Sequence, residues 1–221
     1  MLALLLGVSP IARSNEPTPP LDGEQSSLNS AVRSHYEAGL AHAHRGDYEQ
    51  AIAEFDQAIR LAPDFSQAFQ DRGSSYAALQ NPVAAMADYN RAIRLTPHDS
   101  NAYYNRGNLH LQQERYFQAI ADYNRAVILN PGDAAAWQNR ALGYAITGDL
   151  EKAVDGFQQA ARLFQLQGNQ DGYDQVLAIL EYFQPDLDPD TLAIPDPETP
   201  PADPTVPSQS TPPPSSSPAQ P

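Results

Sequence analysis

Apolar and small residues between positions 32 and 167 recur at spacings of three and four, in short segments separated by polar turns. In SQAFQDRGSSYAALQ (66–80), Phe69, Gly73 and Tyr76 fall at i, i+4 and i+7. In VAAMADYNRAIRL (83–95), Ala85, Tyr89, Ala92 and Ile93 share a second stripe. Such spacing predicts helices, and here it predicts them in pairs. The pairs repeat. ADYNRAI at 87–93 returns as ADYNRAV at 121–127, 34 positions later, and the same interval links Phe55, Tyr89, Tyr123 and Phe157. Four windows align: 32–65, 66–99, 100–133 and 134–167. Ala51, Ala85, Ala119 and Ala153 share one column, and Ala58, Ala92, Ala126 and Ala160 another. Gly39, Gly73 and Gly107 form a third, which ends in Ala141. One helix pair cannot bury such a face alone, so a fixed period of this length marks stacked units.

The small columns, such as Gly73 and Ala85, are expected where two helix backbones approach, and Tyr76 and Tyr89 where the space beside them is filled. The turns carry their own signals. Gly46 ends one helix, Asp47 is placed to cap the next, and Gln50 completes a capping box. Asn81 is placed to do the same, with Pro82 at the first helical position. The third window has Glu114 and Arg115 there, and a turn without glycine or a short polar cap should be weaker by roughly 1 kcal/mol. Pro63, Pro97 and Pro131 close the first three windows, since proline cannot donate the next backbone hydrogen bond. Arg72 and Arg106 precede Asp88 and Asp122 by 16 residues, and Arg140 continues their column. That spacing predicts an Arg–Asp bridge within each hairpin; the alternative is packed stems with the charges in water.

Outside the windows the composition changes. NQDGYDQVLAILEYF places Tyr173, Val176, Leu177, Leu180 and Phe183 on one stripe, which predicts a capping helix within 168–184 over the last apolar face. Of the 37 residues in 185–221, thirteen are proline, six are acidic and none is basic. A segment so poor in apolar residues is expected to form an extended, disordered tail. Residues 15–31 read as a shorter linker. In 1–14, MLALLLGV followed by Ala12-x-Ser14 fits the pattern of a secretory signal, although a basic n-region is missing. The expectation is an exported chain, with the cytoplasm as the alternative. No stretch is long enough to span a bilayer.

The columns together resemble the tetratricopeptide repeat. That family's signature asks for an aromatic at position 4, where Phe69, Tyr103 and Trp137 stand, and Tyr at 11, where Tyr76 and Tyr144 stand. An aromatic at position 24 is met by Phe55, Tyr89, Tyr123 and Phe157. Departures are His35 at position 4, His42 and His110 at 11, and the arginine column at 7, where Leu is usual. The resemblance implies an all-α fold: a right-handed superhelical solenoid of four helix hairpins with a C-terminal capping helix and disordered ends. The wording of the repeat is also similar to that of many bacterial repeat proteins, including photosystem assembly factors of photosynthetic bacteria. For an exported chain, that likeness implies a periplasm or thylakoid lumen.

Charge and chemistry narrow the function. The net charge is −14, spread over ends and repeats alike, which argues against nucleic acid and anionic membranes as partners. The chain has no cysteine, so a disulfide framework and a thiolate metal site are both excluded. No Walker loop, GxSxG elbow, HExxH or EF-hand pattern is present. His42 and His44, two apart on a helix, do not face each other, and His42 and His110 are explained by packing. No catalytic residue, cofactor, metal site or small-molecule substrate is predicted.

What remains is the inner face. In the resembled family, the first helix of each pair lines a concave groove and exposes positions 2, 5, 6, 9, 12 and 13 to it. Carried over, these are Gln67, Gln70, Asp71 and Ser74, then Asn101, Tyr104, Asn105 and Asn108, then Gln138 and Asn139. Amides suit the backbone of an extended peptide, since each offers a donor and an acceptor. The alternative is that they are only solvated polar positions. Co-chaperone members of the family grip a C-terminal carboxylate with cations, but Gln70, Ser74, Asn105, Ala135 and Asn139 occupy those positions here. A clamp for Hsp70 or Hsp90 tails is therefore not expected. The reading is a protein–protein interaction scaffold or adaptor that holds a peptide or partner protein in its groove. An assembly or chaperone-like role for a membrane or envelope complex, a self-associating homo-oligomer and a groove hydrolase stand as rivals.

Overall fold

The structure, a computed structural model, describes residues 22–184 and Leu192. The signal-like segment, most of the tail and the first part of the linker lie outside the described residues. Nine helices follow one another among the described residues: α1 (Asp22–Arg45), α2 (Tyr48–Leu61), α3 (Ser66–Ala78), α4 (Pro82–Leu95), α5 (Ser100–Gln112), α6 (Tyr116–Leu129), α7 (Ala134–Thr147), α8 (Leu150–Leu166) and α9 (Gln170–Phe183). No strand occurs among the described residues. α1–α2, α3–α4, α5–α6 and α7–α8 pack as hairpins, each hairpin packs on the next, and α9 covers α8. Successive first helices also touch, so α1, α3, α5 and α7 form one wall of the solenoid.

The period in the sequence is a period in the core. Ala51, Phe55 and Ala58 of α2 and their equivalents in α4, α6 and α8 are all 3% exposed or less. Ala92 lies between repeats, against Phe69 and Ala102. The glycine column is small for a more specific reason than close helix backbones. A Cβ on Gly73 would stand 2.9 Å from Cε1 of Tyr89, and one on Gly107 would stand 2.8 Å from Cε1 of Tyr123. The aromatic at position 24 lies flat across the glycine, so the two columns are one packing device. At the far end, Val176 and Leu180 of α9 are buried against Phe157 and Phe164.

Two local expectations are corrected. Asp47 stands at the N-cap of α2, but its side chain makes no capping bond and accepts from Arg45 Nε at 3.2 Å instead. The capping box with Gln50 is therefore not formed, because the neighbouring cation outcompetes the backbone for the carboxylate. In addition, α1 begins at Asp22, ten residues before the first window and inside the stretch read as a linker. No proline stands between Leu21 and Arg45 to interrupt it. Elsewhere the turns behave as expected: Asn81 accepts from Ala84 N, and Arg115 supplies no side-chain cap.

Leu192 also departs from expectation. It falls in the segment read as a tail, yet it is 1% exposed and belongs to the apolar cluster of α7, α8 and α9. Leu192 has a buried place to go although the stretch around it is rich in proline and acidic residues, and burying a leucine fully is worth about 1.5–3 kcal/mol.

The arginine column forms a ladder across the second helices. Arg72 donates through Nε and Nη2 to Asp88 at 2.8 and 2.7 Å, and through Nη1 to Asp56 of the preceding repeat at 2.5 Å. Arg106 repeats this with Asp122, at 2.8 and 2.6 Å, and with Asn90 at 2.6 Å. Asp88 and Asp122 are both buried. The Arg–Asp bridge is thus present in both hairpins, and each arginine also reaches back one repeat. The third rung is incomplete. Arg140 donates to Asn124 at 3.2 Å, stacks over Trp137 at 4.1 Å, and keeps a buried Nε with no partner among the described residues.

Candidate functional site

Along the wall of first helices, Tyr36, Gln67, Gln70, Asp71, Asp99, Asn101, Tyr104 and Asn105 line one concave cavity of about 630 Å³. The helical period puts positions 2, 5 and 6 of α3 and α5 on this side, since the opposite face of each helix is spent on its hairpin partner. Six of the residues expected in a groove, Gln67, Gln70, Asp71, Asn101, Tyr104 and Asn105, are brought together here. Their availability differs. Gln70 is 5% exposed and donates to Asp99 Oδ2 at 2.6 Å, so its amide is committed to the wall.

The next repeat is wired differently. Asn139 donates to Tyr104 Oη at 3.3 Å and to Asn108 Oδ1 at 3.0 Å, and Tyr123 also donates to Asn108 Oδ1, at 2.7 Å. Asn108 and Asn139 therefore brace Tyr104 rather than line this cavity. Gln138 is partly exposed on α7 and is not among the lining residues.

Two lining residues come from outside the carried-over set. Tyr36 occupies position 5 of the first window, where the same register applied one repeat earlier finds it. Asp99 is the N-cap of α5, accepting from Asn101 N at 3.0 Å, and a capping residue carries no groove signal in sequence. Tyr36 donates to Asp71 Oδ2 at 2.7 Å across α1 and α3. Burial raises the Asp71 carboxyl above its ordinary value, against the Tyr36 hydrogen bond and nearby His44, which lower it. Burial and the same carboxylate push the Tyr36 hydroxyl up. The wall thus presents amides, phenols and two carboxylates, and among the described residues no lysine or arginine lines it.

A second cavity, of about 510 Å³, adjoins it and shares Tyr36. It is lined by Asn29, Val32, Arg33, Glu37, Leu40, Ala62 and Phe65. The Tyr36 ring packs on Phe65 with centroids 4.7 Å apart. One residue therefore turns an apolar face to one cavity and its hydroxyl to the other. No helix among the described residues is long and apolar enough to cross a membrane.

Comparison with known proteins agrees with this architecture. Two family patterns, both described as "Tetratricopeptide repeat", match residues 36–100 and 100–133. No curated protein matches the sequence. Among solved structures, MamA 41-end from Desulfovibrio magneticus RS-1 is similar at 22% identity and a TM-score of 0.56, over 66% of this chain and 88% of that one. The first TPR of Spaghetti (RPAP3), bound to HSP90 peptide SRMEEVD, is similar at 23% identity and TM-score 0.52, over 53% and 94%. The Arabidopsis OM64 TPR domain follows at 22% and 0.52, over 54% and 98%. These identities speak for the fold, and the repeat patterns for a protein-interaction scaffold. With 34-residue columns, stacked hairpins and matched patterns, residues 36–133 of the chain are tetratricopeptide repeats.

Proposed function

We propose that this chain is an interaction scaffold that holds an extended peptide segment of a partner protein against the wall formed by α1, α3 and α5. The observation that carries the reading is the single cavity in which Gln67, Asn101 and Asn105 stand beside Tyr36 and Tyr104. Amides on successive helices can pair with a peptide backbone of any sequence, and the phenol rings offer apolar contact with little side-chain entropy to lose. The solved RPAP3 repeat domain holding a peptide supports the idea that a fold of this kind accommodates such a ligand. The reading is of binding rather than catalysis, because Asp71 and Asp99 are tied to Tyr36, Gln70 and the α5 backbone.

The test is affinity capture with the full chain and an Asn101→Ala/Asn105→Ala variant, each checked for unchanged helical circular dichroism. Partners lost from the variant are the expected result. An identical partner set for both proteins overturns the reading.

A further inference from the structure

Which peptide the groove prefers is written in the two cavities that meet at Tyr36. The larger one holds Asp71 and Asp99 among neutral amides and phenols, with no lysine or arginine among the described residues of its lining. The smaller one is walled by Val32, Leu40, Ala62 and Phe65, and the Arg33 and Glu37 charges at its margin offset each other. Tyr36 divides them, its ring on Phe65 and its hydroxyl on Asp71. Asp71 and Asp99 each already accept a side-chain hydrogen bond, yet every carboxylate oxygen has two lone pairs and can take a further donor. An anionic segment would meet uncompensated carboxylates there. That argues against the chain's own C-terminal segment, residues 185–221, which carries six acidic residues and no basic one. It argues equally against a second copy of a chain whose net charge is −14.

We infer that the groove takes a foreign peptide in which an apolar side chain enters the cavity beside Tyr36 and Phe65, while a neighbouring lysine or arginine lies over Asp71 and Asp99. This rests on the groove reading above and adds the chemistry of the ligand. The cation would exchange water for charge-assisted bonds to two carboxylates. The apolar neighbour would anchor the segment in a pocket already lined by aliphatic and aromatic groups.

The test is a phage-displayed library of random nonapeptides, panned on the full chain and on Asp71→Asn/Asp99→Asn. Asparagine keeps the acceptor for Tyr36 and the α5 cap, so the fold is retained. A third protein, Asn105→Arg, obstructs the groove. The expected result is enrichment of Lys or Arg within about three positions of Leu, Ile, Phe or Met. Replacing that cation by glutamine in a synthetic copy should weaken binding about 10-fold to the wild type and less than about 2-fold to the double asparagine variant. Enriched peptides that need an open groove but contain no cation overturn this inference and leave the groove reading standing. Peptides held equally by Asn105→Arg, or no enrichment at all, overturn both.

Discussion

Ala141 and Gly156 face each other across the α7–α8 hairpin, and a Cβ on Gly156 would stand 2.9 Å from that of Ala141. In the two preceding repeats the arrangement is reversed: a Cβ on Gly73 would stand 3.2 Å from that of Asp88, and Gly107 and Asp122 hold the same two positions 34 residues on. The small residue has changed sides, and the carboxylate that would have met Arg140 has gone with it. This accounts for the unpartnered Nε of Arg140. Burial without a carboxylate also lowers the affinity of that guanidinium for its proton.

The exchange is reversible by design. Gly156→Asp alone is expected to cost about 2–3 kcal/mol through overpacking against Ala141. Ala141→Gly/Gly156→Asp should recover to within about 1 kcal/mol of wild type, the residue being the helix penalty of glycine offset by the new bridge. Urea midpoints of the three proteins check this, and a double variant no better than Gly156→Asp would refute the pairing.

Arg106 and Asp122 are expected to be strongly coupled. The pair is bidentate and its carboxylate is buried, so removing either partner strands the other. Asp122→Asn should destabilise by about 2–3 kcal/mol, at the lower end for a buried pair because Arg106 retains some contact with water. A double-mutant cycle with Arg106→Met should return a coupling of at least about 1 kcal/mol.

His110 gives the fold an acid-sensitive point. Burial holds its imidazole below the usual histidine range; Asp122, 3.8 Å away, opposes this, while Arg106 and Arg115 reinforce it. The unfolded chain therefore takes up the proton first. Stability is intact above about pH 6.5 and is lost as the pH falls from there toward the lower folded value. His110→Tyr, which copies Tyr76 and Tyr144 of the neighbouring repeats, should flatten this part of the profile. Equal slopes for the two proteins in chemical denaturation between pH 7 and pH 5 would contradict it.

The α5–α6 turn should be improvable. Glu114 sits at φ +58°, in the left-handed region that Gly46 and Gly148 occupy in the first and last hairpins. Glu114→Gly is expected to stabilise by about 0.5–1 kcal/mol, and Arg115→Asn, which supplies the missing cap, by about 1 kcal/mol more. Thermal melting of the single and double variants measures both.

The helices and their pairing were legible because position 24 and the two alanine columns are fully buried, so packing tolerates little variation there. The Arg–Asp spacing was legible for the same reason. The exchange at 141 and 156 was not: in sequence it is two unrelated departures fifteen residues apart, and only packing makes them one event. Asp47 shows the limit of local signals, since a suitable capping residue can be claimed by a nearby arginine. In the groove, position alone located Gln67, Asn101 and Asn105. It could not separate the free Asn105 face from Asn139, whose amide is consumed by Tyr104 and Asn108.

The arginine ladder has a mechanical consequence for the inner wall. Arg72 and Arg106 each bolt the second helix of one hairpin to that of the hairpin before it, behind the cavity at Tyr36. Fastened from outside, the first three repeats keep their curvature whether or not anything sits in the hollow. An incoming chain would find a rigid mould there and give up little more than its own disorder on entering it. Past Asn124 the bolts stop, and any flexing on engagement would be taken up at the α7–α9 end.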